Sequence, residues 1–149
     1  MKKIAVGLLA SWALLHAGAE ELQWMTDLPK AQAKAKEEKK LVLMDFTGSD
    51  WCGFCIKLNK EVFSKSEFTE YAKKNLVLVE VDFPTKKELS AAQKKANAAL
   101  KEKYQINGYP TIILLDAEGK KLGEVRGYHP GSGPTAYIGE LEKAKKGQT

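Results

Sequence analysis

A chain of 149 residues with 44% apolar content can bury one hydrophobic core and no more. Its formal charge of +5 is mild, and the lysines of 34–40, 73–74, 86–87 and 94–95 sit near glutamates without interleaved aromatics. They read as solvated helix faces, which argues against nucleic acid or another polyanion as the partner. The chain also carries no low-complexity block or fixed-period repeat.

Lys2 and Lys3 form a positive segment, Ile4 to Leu15 an apolar stretch, and Ala17-Gly18-Ala19 an A-x-A site. That apolar stretch falls short of the roughly 20 residues that span a bilayer. The expectation is a cleaved secretory signal peptide over 1–19, followed by one domain over 20–149 in a compartment where disulfides form.

Asp27 to Lys40 is rich in alanine, lysine and glutamate and predicts a helix with Asp27 as N-cap and Pro29 in its first turn. Leu41 to Phe46, apolar except for Asp45, predicts a strand covered on both faces beside parallel neighbours. Thr47-Gly48-Ser49-Asp50 is the turn. From Gly53 the spacing of Phe54, Leu58, Val62 and Phe63 predicts one helix running to about Phe63. A second helix, Glu67 to Asn75, is expected to be capped by Ser64 or Ser66, and Leu76 to Asp82 to be the next strand. Glu88 to Lys103 predicts a further helix, then Thr111 to Leu115 and Lys121 to Arg126 a hairpin turning at Asp116–Gly119. Pro134 to Lys146, with Tyr137, Ile138, Leu141 and Ala144 along one face, predicts the last helix.

The two cysteines of the chain, Cys52 and Cys55, lie at the carboxyl end of the first long strand, where chemistry sits in open α/β sheets. A structural zinc site needs four ligands, and with His16 in the signal only His129 remains, so no metal is expected. A purely structural disulfide gains little from so short a loop, since even a 15-residue loop is worth roughly 3 kcal/mol. A redox dithiol is the reading left. Cys52, at a helix N-terminus, suits a nucleophilic thiolate, and Cys55, one turn further in, suits the resolving thiol. Lys57 and Asp50 read as ordinary surface charges, and His129 as structural.

Trp51-Cys52-Gly53-Phe54-Cys55 after an apolar strand, with Gly108-Tyr109-Pro110-Thr111 before a hairpin, resembles the thioredoxin superfamily. The element order matches it from about Asp27 to Lys146. Thr47 to Cys52, Val79 to Pro84 and the long helix that follows resemble, within it, exported bacterial oxidoreductases of the DsbH type. The resemblance implies an α/β thioredoxin-like fold, a central mixed sheet flanked by helices, with an extra helical insertion before the hairpin.

From the residues alone, Pro110 is a trans proline that starts a strand. The resemblance implies instead a cis-proline whose loop faces the dithiol and pairs with substrate backbone. Tyr109 departs from the small or β-branched residues common at its position, which bears on the substrate groove. Trp51 is implied to cover the dithiol. Phe54, by its place between the cysteines, affects how well the helix N-terminus stabilises the Cys52 thiolate and so tunes the redox poise. Asp45 resembles the buried carboxylate that accepts a proton near the resolving cysteine. One extra residue separates it from Cys52, so either the turn absorbs the insertion and Asp45 points inward, or the strand register shifts.

The function expected is therefore a periplasmic protein thiol-disulfide oxidoreductase, mainly a reductase, working through a mixed disulfide without a cofactor. Isomerase and oxidase are the alternatives within that class, and a client-binding, chaperone-like module with an incidental dithiol the alternative outside it. The expected partners are exported proteins bearing disulfides or thiols and a membrane thiol electron donor, with the chain acting as a monomer.

Overall fold

In the computed structural model, which describes residues 21–148, the first element among the described residues is one that the sequence does not announce. This is a two-residue strand, β1 (Trp24–Met25), which exists by pairing in parallel with Leu78 and Val79. The segment expected to be a signal peptide lies outside the described residues.

Helix α1 (Leu28–Glu38) starts where Asp27 caps it, the carboxylate accepting the Lys30 N–H at 3.0 Å. It stops at Lys39, whose φ of 55° is left-handed. Leu28, Ala31 and Ala35 form its buried stripe, and the alanines let the helix lie close to the sheet. Strand β2 (Leu41–Thr47) is buried along nearly all its length, as its apolar run requires.

The single helix expected over 53–63 is two pieces. An α-helical part, α2 (Gly53–Leu58), continues as a π-helical turn, Asn59–Phe63, closed by the Ser64 N–H to the Asn59 carbonyl at 2.9 Å. Ser64 is spent there, its hydroxyl also donating to the Asn59 carbonyl at 2.6 Å. Neither candidate serine caps α3 (Ser66–Asn75), whose N-cap position is Lys65 with no side-chain bond.

Strand β3 (Leu76–Asp82) runs parallel to β2. Helix α4 (Ala91–Lys103) begins three residues later than expected because Ser90 caps it, accepting the Gln93 N–H at 3.1 Å. Its one fully buried residue is Asn97, which donates to the Asp82 carbonyl at 2.8 Å and accepts from Gln93. A polar bond to the end of β3 thus docks this helix. Strands β4 (Thr111–Leu115) and β5 (Lys121–Arg126) form the hairpin, and α5 (Gly133–Lys145) closes the chain with Tyr137, Leu141 and Ala144 buried.

The sheet order is β1-β3-β2-β4-β5, parallel on the β1–β3–β2 side and antiparallel on the β4–β5 side. Alternation along β2 divides the core in two. Val42, Met44 and Phe46 pack with Ala31, Ala35 and Ile106, beside α1 and α4. Leu43 packs with Leu58, Phe63, Phe68, Tyr137 and Leu141, beside α2, α3 and α5. Among the described residues, no helix is long and apolar enough to cross a membrane.

Candidate active site

Parallel β2 and β3 end together at Thr47 and Asp82, and the chain leaves β2 through a turn that delivers Cys52 to the N-cap of α2. Cys52 and Cys55 are joined as a disulfide, with α-carbons 5.2 Å apart. The Cys52 sulfur accepts the Cys55 N–H at 3.3 Å, so one free donor of the helix end is aimed at it. Once the disulfide opens, that donor and the helix dipole favour a thiolate at Cys52. Both sulfur-bearing residues are largely covered, whereas Trp51, Phe54 and Ile56 are about half exposed and form an apolar rim.

The turn is clamped to the segment after β3. Asp82 accepts from the Ser49 N–H at 2.9 Å and the Ser49 hydroxyl at 2.5 Å, and Lys87 pairs with it at 3.0 Å. Asp50 is not the free surface charge that the sequence suggests. Its carboxylate accepts the backbone N–H groups of Thr85, Lys86 and Lys87 at 2.9, 2.7 and 3.0 Å, and these hold its pKa down at about 2. Lys57 and His129 are exposed and take no part in this arrangement.

The Tyr109–Pro110 peptide bond is cis, and the Pro110 carbonyl accepts the Gly127 N–H at 2.8 Å, tying the loop to the end of β5. The Tyr109 ring meets Trp51 edge-on at 5.8 Å and Phe83 at 5.4 Å, while the Lys101 ammonium lies 5.3 Å from its centroid. The Trp51 indole N–H donates to the Phe83 carbonyl at 2.7 Å. Trp51 and Tyr109, 58 positions apart in sequence, are therefore brought into contact. A cavity of about 380 Å³ is lined by Tyr109 together with Ile106, Asn107, Pro110 and Arg126 among others. A larger one of about 530 Å³, between Leu22, Lys34 and Leu76, is at the opposite end of the sheet and does not touch the dithiol.

The turn absorbs the extra residue, and Asp45 points inward. It lies on the Leu43 face of β2, the side on which α2 buries Cys55 and Leu58. Its Oδ1 is buried without a hydrogen-bond partner. Burial first, then the nearby carboxylates of Glu80 and Asp82, push its pKa up to about 8. These two neighbours, and the buried Tyr137 hydroxyl from α5, escaped the sequence reading. The signal was present in Val79-Glu80-Val81-Asp82, where the alternation of a strand puts Glu80 and Asp82 on one face.

The profile of the thioredoxin-like domain family matches residues 28–142, most of the chain. The chain belongs to this family. Within the thioredoxin-like proteins it is 39% identical to the disulfide bond reductase DsbH of Chlamydia pneumoniae over 128 residues, covering 86% of this chain and 75% of that protein. It is 35% identical to the thioredoxin-related protein DsbJ of the same organism, over 70% of this chain but only 30% of DsbJ. A solved DsbH oxidoreductase superposes with a TM-score of 0.76 at 39% identity, covering 85% of each chain. The oxidised C-terminal domain of Neisseria meningitidis DsbD, 18% identical, shares the fold with a TM-score of 0.58 over 82% of this chain and 99% of that domain. With its Cys52–Cys55 disulfide, this thioredoxin-like chain is a thiol-disulfide oxidoreductase of the Dsb type.

Proposed function

We propose that the protein is an exported, periplasmic protein-disulfide reductase. The observation that carries its thiol-disulfide chemistry is the Cys52 sulfur at the N-cap of α2, accepting the Cys55 N–H. In the reduced protein, the Cys52 thiolate attacks one sulfur of a partner disulfide, forms the mixed disulfide and releases the other partner sulfur as a thiolate. Cys55 then attacks the Cys52 sulfur, its proton passing to the Asp45 carboxylate, and the partner leaves with both sulfurs reduced. Two electrons have moved from the dithiol to the partner. When a donor thiolate reopens Cys52–Cys55, the carboxyl of Asp45 returns the proton to the departing Cys55.

Pro110 and Tyr109 present the loop that receives the substrate backbone, Trp51 and Phe54 the apolar rim beside it, and Phe54 tunes the thiolate. The direction of electron flow is supported by the reductase name of the DsbH relative, and export by the signal-like residues 1–19. The partners are exported proteins with disulfides, and a membrane thiol donor restores the dithiol. Measurement of the reduction potential of the mature protein, with insulin-disulfide reduction by the parent and Cys52→Ser, tests the proposal. A strongly negative potential and an inactive variant are expected. A potential near −120 mV, as in DsbA, would make the protein an oxidase, and a Cys52→Ser variant that still reduced insulin disulfides would overturn reduction through Cys52.

A further inference from the structure

Asp45 is the buried carboxylate of the proposed proton exchange, and its surroundings contain a second carboxylate placed to act with it. Strands β2 and β3 are parallel and in register, with Asp45 directly opposite Glu80. Neighbouring strands lie about 4.8 Å apart, and residues opposed across a ladder point to the same face. Both side chains therefore rise from adjacent strands toward α2 and α5.

The two differ in access. Asp45 is covered and its Oδ1 has no partner, whereas Glu80 is half-buried. An acceptor buried without a partner carries a desolvation cost that grows when it is charged, and carboxylates on directly opposed residues of adjacent strands do not both ionise cheaply. One proton held between them removes both costs.

The remaining polar groups on this face do not supply the partner. Asp82, the next residue of β3 on the same side, is taken up by Ser49 and Lys87. Glu80 itself has its pKa raised, first by burial and then by the Asp82 carboxylate, with Lys87 acting in the opposite sense from the outside. From α5, the Tyr137 hydroxyl is buried and unpartnered, and burial keeps it protonated. From α2 comes Cys55, and β4 opposes Asp45 with the apolar Ile112. Among the described residues, these acidic groups form no cluster able to hold a metal ion.

We propose that Asp45 and Glu80 form a carboxyl–carboxylate pair holding one proton between them, with Glu80 the outer member that sets the protonation of Asp45. This rests on Asp45 being the proton carrier for Cys55, and it adds the residue that keeps the carrier loaded while the disulfide waits for its donor. Glu80 is thus a positioning residue, since it acts through Asp45.

The test is carboxyl NMR titration of the oxidised protein with labelled Asp and Glu, in the parent, Glu80→Gln and Glu80→Asp. In the parent, the Asp45 and Glu80 resonances should each move in two shared steps, as coupled groups do. In Glu80→Gln, Asp45 should titrate in one step with its midpoint lower by about one pH unit or more. Glu80→Asp, which keeps the carboxylate, should restore the coupled behaviour. An unchanged Asp45 midpoint in Glu80→Gln would overturn the pair. The pH profile of disulfide opening by dithiothreitol separates this from the proton-carrier role. A profile that ignores Asp45→Asn sinks the carrier role, whereas one that follows Asp45 but ignores Glu80→Gln sinks the pair alone.

Discussion

The indole of Trp51 lies against the α-carbon of Gly48, so close that a β-carbon there would overlap the ring. The same indole is held by the Phe83 carbonyl and the edge of Tyr109, so the residue before Cys52 is fixed from three sides. Gly48→Ala should therefore expel the indole or strain the turn, at an overpacking cost of about 1–3 kcal/mol. A lower urea midpoint with altered tryptophan fluorescence would show this. Gly53→Ala is the matched control, because a β-carbon at Gly53 meets nothing within 4 Å. Equal effects at the two glycines would contradict the packing argument.

Much of this arrangement could be read in the chain itself, because long periodic segments state their own structure. Leu41 to Phe46 reads as a covered strand, and the Asp27 cap and Pro29 mark the start of α1 without tertiary help. What escaped depends on partners far away in sequence. The strand Trp24–Met25 exists by virtue of β3, and the π-helical turn at Asn59–Phe63 keeps Val62 and Phe63 buried, so the apolar spacing there looks like an uninterrupted helix. At the site, the dithiol and the proline loop are carried by local motifs. The contact of Trp51 with Tyr109, the clamp of Asp50 on 85–87, and Glu80 opposite Asp45 all require the strand register, which no local pattern supplies.

Asp50 makes a prediction about acid. Three backbone N–H groups, with that of Thr85 the largest influence, lower its pKa from 3.8 to about 2. A depressed carboxylate contributes stability above its unfolded pKa, and this is lost as pH falls through the folded value. The clamp should thus weaken between about pH 4 and pH 2. Urea midpoints in that window should fall more steeply for the parent than for Asp50→Ala, which has already lost these bonds. Parallel curves would show that the clamp does not matter to folding.

Asp45 gives the opposite sign. With its pKa raised to about 8, the folded protein holds this proton more tightly than the unfolded chain. Stability from this group is full below the unfolded pKa near 4 and is lost as pH rises toward about 8. Asp45→Asn removes the titration while keeping the shape, so its advantage over the parent should grow from pH 4 to pH 8 and reach a few kcal/mol. Chemical denaturation across that range measures it. A constant difference between the two proteins would show that Asp45 ionises as an ordinary carboxylate.

The order of the two cysteines yields the last prediction. Cys52 stands at the helix N-cap, where its sulfur receives the Cys55 N–H, while Cys55 is the more covered of the two, at 4% against 7% exposure. The exposures are nearly equal, so the distinction rests on the helix end: its free donors stabilise a thiolate at Cys52 and not at a residue one turn inside. Cys55→Ser should therefore attack substrate disulfides and stop, accumulating a mixed disulfide through Cys52 that dithiothreitol releases. Cys52→Ser should accumulate little or none. Non-reducing electrophoresis with mass mapping of the trapped peptide distinguishes the variants. Trapping through Cys55 instead would reverse the assignment of nucleophile and resolving thiol.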